Sequence, residues 1–204
     1  MALIFPGHLV LAKKIRNQII KMKILNILPC CFVIVMLVTD IYAQKPVRAI
    51  SAKVSFYSHT PVEDIEALSD KVSSVLNPAT NQIAFALLNT SFQFSNSLMQ
   101  EHFNEKYMES DKYPKSSFSG KINEPIVWTQ NGENKVTVTG KLMVHGIEKN
   151  RTIPATITVK DGKIFALSEF LIKTEDHKIE IPKLVWEKIA EEIKVNVSTE
   201  FLIR

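Results

Sequence analysis

The chain has 204 residues and carries 25 Lys and Arg against 21 Asp and Glu, with two cysteines. Five of the basic residues, one acidic residue and both cysteines fall within positions 1–43, so residues 44–204 hold 20 basic and 20 acidic side chains and no thiol. This neutral balance excludes the broad cationic surface that nucleic acid requires. The lack of cysteine in residues 44–204 excludes disulfides, thiolate nucleophiles and cysteine metal sites there.

The first recognisable pattern is that of a secretory signal peptide. Met22 and Lys23 give a positively charged start, and Ile24–Val38 is an apolar run of 15 residues. Ala43 is a small residue that suits a cleavage site. An uncleaved membrane anchor is the alternative, but the apolar run is shorter than the roughly 20 residues that a spanning helix needs.

This interpretation divides the chain into a signal peptide, residues 1–43, and one domain, residues 44–204. Residues 1–21 can be an upstream extension, with Met22 as the working start. The remaining chain is long enough for a single domain that buries roughly 70% of the surface of its unfolded state. We expect the product in the periplasm or outside the cell, after cleavage near Ala43.

Strands dominate the first half of this domain. Period-two alternation of apolar side chains predicts them at residues 52–59, 81–89 and 91–95. Between them, Val62–Asp70 has the spacing and acidic start of a short helical turn. Asn77 and Pro78 form a turn signal.

One segment changes from strand to helix periodicity. Its apolar residues recur at helical spacing, and they are Leu98, Met99, Phe103, Tyr107 and Met108. This pattern predicts the best amphipathic helix of the chain. Ser95 or Ser97 can cap its start, because a hydroxyl accepts a hydrogen bond from a free backbone N–H. Tyr113-Pro114 is incompatible with its continuation.

The second half of the domain returns to alternation. Strands are predicted at residues 116–123, 125–130, 135–144, 153–160, 163–173 and 193–204. Asn131-Gly132 and the charged residues 145–150 are typical of turns, and Asp161-Gly162 indicates a two-residue hairpin. A short helix is expected after Pro182.

Eight or more strands at this spacing predict an antiparallel barrel or sandwich. Closure into a barrel removes exposed strand edges, which would otherwise favour aggregation. An eight-stranded barrel is just wide enough to be filled by its own side chains or to hold one small guest. The alternation pattern leaves both possibilities open.

Six stretches, taken in order, resemble the YceI-like family of exported bacterial proteins. They are VSFYSHTPVEDIEA, FQFSNSLMQEHFNEKYME, YPKSSFSGKI, TVTGKLMVHGIEKNRTIPATITV, FLIKTEDHKIEIPKL and AEEIKVNVSTEF. The resemblance covers about Ala49 to Ile203. It implies an antiparallel eight-stranded lipocalin-like barrel with one or two short helices, a polyisoprenoid or other long-chain amphiphile as ligand, and a possible homodimer.

Two stretches depart from the family pattern. Met99-Gln100-Glu101-His102 stands where members commonly have Arg-Asp before the helix histidine. Lys173-Thr174-Glu175-Asp176-His177 stands where many have Arg-x-Asp-Phe-Gly. The charged groups common in the family are therefore altered at both places.

The leading functional hypothesis is a non-catalytic carrier that holds a long apolar or amphipathic molecule, such as a polyisoprenoid or fatty-acid derivative. The apolar faces of the predicted strands and helix supply candidate wall residues for its pocket. They are Phe56, Phe85, Leu87, Phe92, Phe94, Leu98, Met99, Phe103, Phe118, Ile157, Phe165 and Phe170. The alternative is a structural or interaction protein with a filled barrel, in which the same residues pack the core.

Catalysis and metal binding have weaker support. The histidines at 59, 102, 145 and 177 show no metal-ligand spacing, and the most suggestive group is His102 beside Glu101 and Glu105. No nucleophile elbow or phosphate-binding loop occurs, so we expect no enzyme, metal or cofactor. Lys112, Lys115 and Lys121 can meet an anionic head group, but the neighbouring Glu109, Asp111 and Glu124 favour a mixed, solvated surface.

Overall fold

The structure is a computed structural model that describes residues 45–182, 187 and 189–203. In these ranges ten strands follow one another, and their bounds are β1 Val47–His59, β2 Asp64–Ser69, β3 Val72–Asn77, β4 Gln82–Leu88, β5 Gln93–Phe94, β6 Lys115–Ile122, β7 Gly132–Val144, β8 Ile147–Lys160, β9 Lys163–Lys173 and β10 Glu192–Leu202. The helix α1, Ser97–His102, continues into a π-helical turn, Phe103–Tyr107. The predicted signal peptide lies outside the described residues, as does most of the helix expected after Pro182.

Eight strands close into an antiparallel barrel. The order around the ring is β1, β3, β4, β6, β7, β8, β9 and β10, and β10 pairs with β1 to complete it. β2 precedes β3 and pairs with the second half of β1, and the two-residue β5 adds to β2. The structure therefore confirms the predicted eight-stranded barrel with a short helix.

Alternation along the strands determines which side chains face the interior. Val136, Val138 and Leu142 of β7 are buried, whereas the intervening residues are exposed or half-buried. At one end of the barrel a cluster of buried side chains includes Leu76 and Phe201. Trp128 caps this end, and its indole N–H donates to Asn81 Oδ1 at 3.1 Å. This end of the barrel is filled by its own side chains.

Two of the predicted elements are wrong. Val62–Asp70 contains the strand β2 rather than a helical turn, because pairing with β1 satisfies its backbone and buries Ala67 and Ser69. Residues 125–130 form a loop rather than a strand, and a turn closes where Gln130 N donates to Val127 O at 3.1 Å. The turn therefore precedes the Asn131-Gly132 pair, and Gly132 already belongs to β7.

The hairpin turns follow their sequence signals with one correction. Asp161-Gly162 forms the predicted two-residue turn, with positive φ angles of 50° and 77°. The turn expected over residues 145–150 is shorter, because His145-Gly146 alone makes it with φ angles of 50° and 70°. Positive φ at both positions is the geometry that matches the twist of the flanking strands. β8 therefore begins at Ile147.

Replacing Gly140 tests the close approach of β6 and β7. Gly140 lies opposite Gly120, and a Cβ at Gly140 would overlap the Ser119 carbonyl oxygen and lie 2.5 Å from Gly120 Cα. We expect Gly140→Ala to lower the free energy of unfolding by about 1–3 kcal/mol through this overlap. Gly132→Ala is the matched control on the same strand, because nothing lies within 4 Å of the place that its Cβ would occupy. Equal urea midpoints for the two variants would contradict the prediction.

Candidate functional site

The other half of the barrel encloses a cavity of about 490 Å³. Its walls are the inward faces of the strands, and α1 covers one side. The lining is mostly aromatic and aliphatic, as shown by Phe56, Phe85, Leu142 and Val195. The interior of this half is therefore not filled by the protein's own side chains.

Four phenylalanines form one wall beneath the helix. Phe56 of β1 lies between the others, with ring centroids 5.1 Å from Phe92, 5.7 Å from Phe94 and 5.4 Å from Phe103. Phe103 also contacts Phe92 at 5.5 Å and Phe94 at 5.1 Å. Edge-to-face and offset pairs at these distances are favourable beyond the area they bury. The cluster fixes α1 and β5 against the barrel.

The helix itself begins at a side-chain cap. Asn96 Oδ1 accepts from the N–H groups of Leu98 at 2.8 Å and Met99 at 3.4 Å, so Asn96 is the cap rather than the predicted Ser95 or Ser97. An amide oxygen accepts hydrogen bonds from backbone N–H groups as well as a hydroxyl does, so Asn96 can cap the helix in place of a serine. Leu98 lines the cavity and is 55% exposed. The cavity therefore reaches solvent beside α1.

After the π-helical turn the chain returns to the barrel, and the side-chain amide of Asn89 holds it there. Met108 N donates to Phe103 O at 2.8 Å, and the buried Met108 side chain joins the cavity wall. Burial also raises the pKa of the neighbouring Tyr107. The buried side chain of Asn89, which directly follows β4, donates to Tyr113 O at 2.6 Å and accepts from Ser116 Oγ at 2.7 Å. These bonds fix the segment that follows the helix onto β4 and β6.

A buried pair of histidines joins three turns at this end of the barrel. His145 Nδ1 donates to His177 O at 3.0 Å, and its Nε2 lies 2.9 Å from Glu109 Oε2. The carbonyl oxygen of His177 can only accept, so Nδ1 of His145 is the donor in that bond, and the Glu109 carboxyl group lies on the other side of the ring. Tyr113 packs edge-on against His145 at 4.5 Å. We call these four residues the polar junction.

His177 is completely buried within this junction. Its Nδ1 donates to Ile147 O at 3.1 Å. Burial, which disfavours the charged imidazolium, lowers the pKa of His177. The segment that carries it runs along the cavity, because Thr174 and Ile179 are wall residues.

Eleven of the twelve predicted wall residues line the cavity. They are Phe56, Phe85, Leu87, Phe92, Phe94, Leu98, Met99, Phe103, Phe118, Ile157 and Phe170. Phe165 does not line it, because its neighbours Ile164 and Ala166 occupy the inward face of β9. Phe165 and Phe170 are five positions apart in one regular strand, so alternation already places them on opposite faces.

Other wall residues were missed by the sequence analysis. Val54 and Ile172 share the inward faces of Phe56 and Phe170, so strict alternation could have identified them. Ile179, Ile181 and Ile189 lie outside the strands, in a region where no periodic pattern marks an inward face.

The charged candidates lie away from the cavity interior. Lys112 contacts Glu109 at 3.6 Å and lies over the Tyr113 ring. Lys115 and Lys121 are exposed on β6, and these three lysines are not among the wall residues. The structure thus agrees with the mixed, solvated surface rather than with a head-group site.

The histidines do not assemble a metal centre in the described part of the chain. His59 contacts Asp64 at 2.6 Å on the surface, and His145 and His177 belong to the polar junction. His102 lines the cavity at the helix. No group of three or more His, Cys, Asp or Glu side chains there is placed to hold a metal ion. Within the same residues, no helix is long and apolar enough to cross a membrane.

The family of the chain follows from a match to a family model. The model of the YceI-like domain matches residues 47–201, which is nearly the whole barrel. The chain belongs to the YceI-like family. No curated protein matches the sequence significantly.

Solved structures share the YceI-like fold at low identity. BcnA of Burkholderia cenocepacia is 20% identical with a TM-score of 0.63, over 73% of this chain and 95% of that one. A polyisoprenoid-binding domain from Saccharophagus degradans, implicated in plant cell wall breakdown, is 14% identical with a TM-score of 0.69, over 78% and 100%. The YceI protein of Campylobacter jejuni is 20% identical with a TM-score of 0.57, over 72% and 89%.

Acidification should weaken folding through His177. Because the folded state holds the pKa of this imidazole below its unfolded value of about 6.5, the unfolded chain binds the proton more readily. The stabilisation from neutral His177 is present above that pH and is lost as the pH falls below it, by up to about 1.4 kcal/mol per pH unit.

Urea unfolding of wild type and His177→Gln between pH 8 and pH 5 measures this effect. We expect the variant to lose less stability on acidification than wild type does. His102→Gln, which removes a histidine from α1, is the matched control for the loss of one imidazole. Parallel curves for wild type and His177→Gln would show that the buried imidazole does not contribute.

Proposed function

We propose that this YceI-like protein is a non-catalytic carrier that holds a long-chain amphiphile, such as a polyisoprenoid or a fatty-acid derivative, with its tail in the barrel. The observation that carries the proposal is the apolar cavity of about 490 Å³, which reaches solvent beside α1. The alternative, an interaction protein with a filled barrel, is disfavoured because only one end of the barrel is filled.

The chemistry of such a carrier is burial. Each methylene group removed from water stabilises the complex by about 0.8 kcal/mol, and ordering the tail opposes part of this gain. The wall offers apolar contact from several sides, including Phe85, Phe118 and Phe170. A tail in the cavity would complete the packing that these side chains leave open.

The polar end of the ligand would lie at the helix side of the cavity. Asn96, His102 and Glu63 are wall residues in or near the helix and the β1–β2 connection. Hydroxyl or carbonyl groups of a ligand can exchange hydrogen bonds with amide and imidazole groups of this kind. The polyisoprenoid-binding domain among the structural neighbours supports a lipid ligand of this shape.

The cellular setting of the proposal follows from the sequence. A signal peptide that ends at Ala43 would export the domain, so the carrier would act in the periplasm or outside the cell. A lipid there needs a protein to cross the aqueous space between membranes or particles, because its tail is insoluble. The homodimer that the family resemblance implies stays a prediction.

Native mass spectrometry tests whether the cavity holds a guest. We expect protein purified without harsh detergent to carry, or to take up from a mixture of isoprenols and fatty acids, one long-chain molecule per chain. Solvent extraction would then identify the head group. A bare protein mass after that incubation would overturn the carrier proposal and favour the filled-barrel alternative.

A pair of tryptophan variants on β7 tests where the guest lies. Val144 lines the cavity, whereas Met143 belongs to the opposite face of the same strand. An indole at position 144 would occupy the space of several methylene groups, so we expect Val144→Trp to weaken farnesol binding at least about tenfold. Met143→Trp is the matched control and should bind like wild type. Equal affinities for the two folded variants would place the ligand outside the cavity.

A further inference from the structure

The barrel wall is only partly hydrogen-bonded between β8 and β9. Their ladder runs from the Lys160–Lys163 pair at the hairpin to the Thr156–Leu167 pair. Both strands continue beyond that point, and each stays paired with its other neighbour. The β8–β9 ladder therefore stops partway along both strands, and we call the unpaired stretch the seam.

Side chains bridge this seam in place of a backbone ladder. Pro154 has no N–H and cannot donate to β9. Ser168 Oγ donates to Pro154 O at 2.6 Å, and Arg151 Nη2 donates to Leu171 O at 2.6 Å. Two side-chain bonds hold the strands less continuously than a ladder, since each depends on a rotatable group.

A second space borders the cavity wall at the same seam. A groove of about 710 Å³ lies along the barrel and is lined in part by Pro154, Thr156 and Glu169. The groove and the cavity share Ala155, Leu167, Ser168 and Val197 as lining residues. Three of these four residues are apolar, so the wall that the two spaces share is mostly apolar.

The groove also exposes apolar side chains that a ligand would cover. Leu167 is 56% exposed, and Leu68, another groove residue, is 42% exposed. Lys53 and Lys135 contribute cations to the same lining. An apolar chain that follows the two leucines would remove them from water and leave the charged groups solvated.

We propose that this seam is a side portal through which the end of a long ligand tail leaves the cavity and lies in the groove against Leu167 and Leu68. The proposal rests on the carrier function given above and adds a second, external part to its binding site. In this proposal the seam determines which lengths of ligand tail the protein can bind. Short tails would fit wholly inside the barrel, whereas long flexible tails would use the groove as well.

Two lysine variants on the outer face of β9 test the portal. Leu167→Lys puts a charge at the proposed portal, and Leu171→Lys is the matched control, because Leu171 is 45% exposed on the same face but lines neither space. The probes are geraniol, farnesol and geranylgeraniol, isoprenols of increasing length, titrated into the purified domain by fluorescence displacement. Leu167→Ser repeats the test without adding a charge.

We expect Leu167→Lys to bind geraniol like the control and geranylgeraniol about tenfold more weakly, the effect of returning one or two methylene groups to water. The loss should grow with chain length. Equal affinities of the Leu167 variants and the control for all three isoprenols, with wild type binding them, would overturn the portal and leave the carrier function standing. Failure of wild type to bind any chain would overturn both proposals.

Discussion

The pairing of β10 with β1 is the interaction on which the rest of the structure depends. Once the sheet is closed, each strand must direct alternate side chains into a space whose width the eight strands fix. Large residues such as Leu76, Trp128 and Phe201 fill that space at one end. At the other end the phenylalanines pack against one another beneath the helix, so an open volume remains beside them. The cavity thus results from the positions of the large side chains along the strands.

The sequence predicted most of the barrel because its signals are local. β9 was predicted with its observed bounds, and the Asp161-Gly162 turn was predicted with its observed length. The prediction failed where strand pairing decides the outcome, as at Val62–Asp70, where pairing with the preceding strand β1 overrides a weak helical pattern. Phe165 lies outside the cavity for another reason, because it is five positions from Phe170 in one strand and alternation places the two side chains on opposite faces. The cavity itself could not be predicted, since filled and open barrels share one alternation pattern.

The polar junction could not be predicted from spacing either. His145 lies 32 residues from His177 and 36 from Glu109, so no short motif contains them. Each sits in a different turn, and the turns meet only when the barrel closes. The junction in turn supports the cavity, because Val144 and Thr174, which are next to or near its members, are wall residues. Buried polar bonds of this kind specify one arrangement of loops where hydrophobic contact alone would permit several.

The π-helical turn, Phe103–Tyr107, links the cavity wall to the polar junction, and its number of residues positions both. Met99, Phe103 and Met108 all line the cavity, although Phe103 lies four positions after Met99 and Met108 lies five positions after Phe103. A regular α-helix advances about 100° per residue and could not keep this stripe in line, whereas the wider turn absorbs the additional residue. Glu109 follows directly and reaches His145. The additional residue of this turn therefore determines both that Met108 faces the cavity and that Glu109 reaches His145. Deleting one residue between positions 104 and 107 would turn both side chains away together.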